Sequence, residues 1–107
     1  MVDESVVASV REYLSALRKH DFAVSFGVIF GSQTTGTMNR SSDIDLLVVS
    51  PRFDRPRERK DVNLLWRLAA RTDSRIEPIP CGERQWRDDE ASPIIEIARR
   101  EGEQVVT

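Results

Sequence analysis

Asp43 and Asp45 stand two residues apart at the head of an apolar run that continues to Val49. In a β-strand, residues i and i+2 share a face, so the two carboxylates point the same way, about 7 Å apart along the backbone. Two like charges at the edge of an apolar sheet repel each other and lose solvation, so a cation belongs between them. Mg²⁺ has the right chemistry, because it takes oxygen ligands and is commonly shared between one or two carboxylates and a substrate's phosphates. Upstream, a second apolar run, Val24 to Phe30, stops at Gly31-Ser32. Gly31 permits a tight turn and the close approach of a ligand to backbone. Ser32 offers a hydroxyl and a backbone N–H. A short helix beginning there would aim its free N–H groups at an anion. Together the two segments form a site for a metal-bound nucleoside triphosphate.

Several elements must hold these residues in place. Val6, Val7, Val10, Leu14 and Leu17 recur at helical spacing; Asp3 is placed to cap that helix and Arg18-Lys19-His20 to end it. Val24 to Phe30 reads as the first strand, followed by the short helix to Thr35 and a loop from Gly36 to Ser42. Ile44 to Val49 reads as the second strand. Its alternation sends Ile44, Leu46 and Val48 to one face, and Leu47 and Val49 to the face of the acids. Pro51 to Pro56 reads as an exposed loop. Arg59 to Thr72 reads as a second helix, with Val62, Leu65, Leu68 and Ala69 on one side. Arg75 to Pro80 reads as a short strand whose Pro78 belongs at a sheet edge. Glu83 to Asp88 reads as a short helix. Ser92-Pro93 opens a last helix that ends at Gly102, with Ile94, Ile97 and Ala98 sharing a face. Glu103 to Thr107 either pairs as a final strand or frays. This order implies an α/β sandwich with one mixed sheet.

Composition narrows the function classes. The 107 residues fit a single domain, 1–107, and 32% charged with 39% hydrophobic residues fits a globular chain rather than a disordered one. A net charge of −2, with basic and acidic residues interleaved, gives no case for direct nucleic-acid binding. Cys81 is the only cysteine, so no internal disulfide forms, which suits a reducing cytoplasm. The N-terminus shows no basic-then-apolar leader pattern, and no apolar run reaches the ~20 residues of a membrane span. His20 suits a helix end better than a metal site, since no ligand cluster accompanies it. Of the two tryptophans, Trp86 lies in a polar stretch and is the better interface candidate.

Gly31-Ser32, ten intervening residues, and then Asp43-Ile44-Asp45 resemble the signature of the DNA polymerase beta-like nucleotidyltransferase superfamily. The short chain resembles its minimal nucleotidyltransferase (MNT) branch, whose members are often encoded beside a HEPN-class partner as antitoxin and toxin. The resemblance covers roughly Val24 to Pro80. It implies an α+β fold, a small mixed sheet flanked by helices. It also implies a third carboxylate on a neighbouring strand, and Glu77 is the best match, a glutamate where the family more often has aspartate. The expected site is then Asp43, Asp45 and Glu77 as catalytic metal ligands for two Mg²⁺ ions, with Gly31 and Ser32 binding the phosphates of ATP. The expected activity is transfer of AMP from ATP to a hydroxyl, such as a tyrosine of a HEPN-type toxin. The alternative is a non-catalytic antitoxin that covers its partner stoichiometrically. The chain departs from its relatives at Gln33, Thr34 and Thr35, where many carry arginines, and it lacks the extra helical domain of larger members. Either a partner chain supplies the missing surface, or the site is degenerate.

Overall fold

Helix α1 (Glu4–Lys19) starts where Asp3 Oδ1 accepts the Ser5 N–H at 2.8 Å, and Arg18 and Lys19 lie in its last turn. In the computed structural model, which describes residues 2–31 and 43–107, α1 leads into a four-stranded sheet of order β3-β2-β1-β4. Strand β1 (Phe26–Phe30) pairs antiparallel with β2 (Ile44–Val49) and with the short β4 (Glu103–Val105). Strand β3 (Ile76–Cys81) runs parallel to β2 along its other side. The sheet is therefore mixed, and Pro78 does lie in an edge strand, where its missing N–H interrupts no ladder.

Side-chain alternation divides the core into two layers. Ile44, Leu46 and Val48 of β2 join Ile29, Ile76 and Val105 beneath α1 and α2 (Arg59–Thr72). Val10, Leu14, Leu17, Leu65 and Leu68 fill that layer, each buried apolar side chain contributing roughly 1.5–3 kcal/mol. On the opposite face, Val28, Phe30, Leu47, Val49 and Cys81 pack beneath Ile95 and Ala98 of α4 (Pro93–Glu101). Trp86 of α3 (Glu83–Asp88) closes this second layer, its ring edge-on to Phe26 at 5.6 Å. Asp45 and Glu77 belong by alternation to the second face.

The structure departs from the sequence reading at four places. Strand β1 begins at Phe26 rather than Val24, because the Val24 carbonyl accepts from the Arg18 guanidinium at 2.7 Å instead of joining the ladder. Residues Pro51–Asp54 form a 3-10 turn, not an exposed loop. Phe53 is buried against Phe22 at 5.5 Å, and Arg52 lies over the Phe22 ring while pairing with Asp61 at 2.9 Å. In α4 the buried residues are Ile95 and Ala98, whereas Ile94 and Ile97 are exposed. The Arg99 guanidinium sets that rotation by donating to the carbonyls of Gln85 (2.8 Å) and Trp86 (2.5 Å). Trp66, not Trp86, is the exposed tryptophan. The helix expected over Ser32–Thr35 and the loop to Ser42 lie outside the described residues. Among the described residues no helix is long and apolar enough to cross a membrane.

Candidate active site

The site is assembled by register. Along β2, Asp45 lies opposite Phe30 of β1 on one side and opposite Glu77 of β3 on the other. The β3 alignment is held by the turn that precedes it. Asp73 accepts three bonds from Arg75: from its backbone N–H (3.0 Å), its Nε (3.1 Å) and its Nη2 (2.8 Å). The Arg75 carbonyl then accepts the Ile44 N–H at 2.8 Å, tying the start of β3 to the start of β2. Hydrogen bonds from Arg75 hold the Asp73 carboxyl below its ordinary pKa. Sequence reading missed this clamp. Its signal was Asp-Ser-Arg just before a strand, a spacing at which a short acid bonds backbone two residues on.

The three acids influence one another. Burial raises the pKa of Asp45, and the charge of Asp43 raises it further, while a hydrogen bond from Glu77 pulls the other way. Burial also raises the pKa of Glu77, with the charges of Asp43 and Asp45 and the bond to Asp45 adding to it. The two carboxyls, in hydrogen-bond contact across the β2–β3 register, therefore titrate as a coupled pair. Asp43 sits one residue before β2, exposed, and acts on both through its charge. Gly31 ends β1 with φ at +78°, in the left-handed region that a side chain disfavours.

The structure thus brings Asp43, Asp45, Glu77 and Gly31 to one end of the sheet, on the face shared with Leu47 and Val49. Ser32 lies outside the described residues, as do Gln33, Thr34 and Thr35. Among the described residues no three acidic, histidine or cysteine side chains stand at the spacing of a formed metal shell. The donor set nonetheless suits a divalent cation. It consists of hard carboxylate oxygens on adjacent strands, two of them with raised pKa values that positive charge would reverse. Asp43, Asp45 and Glu77 are the residues that would hold it.

Comparison with known proteins gives a consistent picture. A model of the nucleotidyltransferase domain family matches residues 7–100. No curated protein matches the chain. Among solved structures, one of a toxin–antitoxin with AMP-PNP is 23% identical with a TM-score of 0.59, the match covering 92% of this chain and 70% of that one. A mutant of the toxin–antitoxin MntA-HpeT, with two aspartates two residues apart changed to glutamate, is 21% identical with a TM-score of 0.58, covering 88% and 69%. A third is a complex of a tri-AMPylated Shewanella oneidensis HEPN toxin with an MNT antitoxin. It is 19% identical with a TM-score of 0.55, covering 91% and 68%. At these identities the likeness is one of fold.

Proposed function

The chain belongs to the nucleotidyltransferase domain family, and from that premise we propose that it transfers AMP from Mg²⁺-ATP to a hydroxyl of a HEPN-type toxin, a tyrosine, in the cytoplasm. The observation that carries this reading is the meeting of Asp45 and Glu77 across the β2–β3 register, with Asp43 and Gly31 beside them. A module built only to bind has no reason to gather three acids, where the charge of Asp43 makes Asp45 and Glu77 harder to ionise. The solved neighbours support the rest: one complex contains AMP-PNP, and another contains a HEPN toxin carrying AMP.

The roles divide by position. Asp43 and Asp45 would hold a cation against the triphosphate, and Glu77 would complete a second site beside them. Bound there, Mg²⁺ supplies charge against the triphosphate and acidifies the attacking hydroxyl. The remaining work of the chain is positional. The β2–β3 register keeps Asp45 and Glu77 together, and the turn at Gly31 carries the chain past them toward Ser32, which would meet the phosphates. In the reaction an oxygen–phosphorus bond forms at the α-phosphate, the bond to the β-phosphate breaks, pyrophosphate leaves, and the hydroxyl proton passes to water. The acceptor comes from the partner.

Intact mass of the toxin, after incubation with this protein and Mg²⁺-ATP, tests the reading. We expect increments of one AMP, abolished by chelation and lowered at least about 100-fold by Asp43→Asn or Asp45→Asn. Undiminished transfer by either variant overturns it. A stoichiometric antitoxin is the second reading, favoured by Gln33, Thr34 and Thr35 standing where many relatives carry arginines. It predicts full neutralisation of the toxin without ATP and no change in mass.

A further inference from the structure

Gly31 lies against Asp45. A Cβ built on the Gly31 backbone would stand 3.4 Å from Asp45 Cγ and 3.7 Å from Asp45 Cβ, and closer to Asp45 Oδ2 than real Cβ atoms come to any neighbour. All three of the nearest atoms belong to that one side chain. Register explains the approach. Phe30 is paired with Asp45, so the next residue of the chain passes directly beside the carboxylate. On its other side Asp45 meets Glu77. The carboxylate therefore occupies a slot, with Gly31 backbone as one wall and the Glu77 carboxyl as the other.

We propose that Gly31 is a positioning residue for Asp45: the side chain that Gly31 lacks is the space the carboxylate fills. The positive φ gives a first reason for glycine, and the slot gives a second that is independent of it. A methyl group at position 31 drives Oδ2 away by roughly 1 Å, toward the like-charged Glu77 or out of the slot. Oxygen ligands tolerate misplacements of only about 0.2 Å, so such a shift removes Asp45 from joint use with Asp43 and Glu77. That consequence rests on the proposed nucleotidyl transfer, whereas the packing claim stands on the geometry alone.

The test is a thermal double-mutant cycle, in chelator, on the parent, Gly31→Ala, Asp45→Ala and the double variant. We expect Gly31→Ala to lower Tm in both backgrounds, where the φ penalty persists, and by a few degrees more in the parent, where the carboxylate must also give way. Equal losses in both backgrounds overturn the proposal. If Gly31→Ala fails to fold, a folded double variant supports it. An unfolded double variant beside a folded Asp45→Ala overturns it. Calorimetry of Mg²⁺-ATP, on Gly31→Ala at a temperature where it is folded, should show affinity at least about 10-fold below the parent. Parental affinity in that variant also overturns the proposal. A parent that binds no Mg²⁺-ATP defeats nucleotidyl transfer instead and leaves the thermal cycle to decide on Gly31.

Discussion

Glu77 differs from the two aspartates in what holds it. Its carboxyl lies in hydrogen-bond contact with Asp45 of the neighbouring strand, and the charges of both aspartates act on it. Glutamine keeps the same stem and a group able to hydrogen-bond Asp45, without the charge. Glu77→Gln should therefore leave thermal stability within about 0.5 kcal/mol of the parent, while AMP transfer falls about 100-fold for want of an anionic oxygen. Calorimetric melting beside the intact-mass assay checks both halves, and a variant that keeps its activity removes Glu77 from the site. The legibility of the acids follows the same physics. Asp43 and Asp45 were visible because strand alternation is local and puts residues two apart on one face. Glu77 was reached only through family resemblance, since nothing near it in the chain encodes a parallel partner on β2.

Strand β3 is aligned from its entrance. The Asp73–Arg75 clamp fixes the turn, and the Arg75 carbonyl passes that alignment to Ile44, one residue before Asp45. The sign of its pH dependence follows from the lowered pKa of Asp73. A carboxyl whose folded pKa lies below its unfolded value of about 3.9 contributes stability above that value and loses it as pH falls through the folded pKa. Asp73→Asn should lower the urea midpoint at pH 7 and at pH 5, and the gap to the parent should close as pH drops below about 4. A gap that stays constant down to pH 2 would show that the clamp is not ionic. Elements whose signals were local came through intact: α2, α3, and the Ser92 cap and Gly102 stop of α4. Two misreadings share one cause, a tertiary contact that no local pattern encodes. A 3.6-residue period in a short helix fits two adjacent faces, and the Arg99 bonds to Gln85 and Trp86 choose between them. Phe53 is buried only because Phe22, distant in sequence, meets it.

At the scale of the molecule, the sheet divides structural from chemical work. The α1–α2 layer fills one face and carries none of the four residues of the candidate site; the other face carries Asp45 and Glu77 at its open end. What covers that end was not legible, because no periodic pattern in the sequence points to it. The division itself can be tested at the bond that joins the two helices. The Tyr13 hydroxyl, fully buried, donates to the Leu65 carbonyl of α2 at 2.9 Å. Burial raises the Tyr13 pKa well above its ordinary value, so the phenol stays neutral in the fold. Its contribution is present below the unfolded pKa of about 10 and is lost as pH climbs beyond it. Tyr13→Phe removes a hydrogen bond worth about 1 kcal/mol and should lower Tm by roughly 4–8 °C at pH 7. The variant should also lose stability less steeply than the parent above about pH 10, since it has no phenol to ionise. AMP transfer at 25 °C should stay within about twofold of the parent, because the bond lies on the face away from the acids. A large loss of transfer in a folded Tyr13→Phe protein would show that the helical layer sets the position of β2, and that the two faces are not separable.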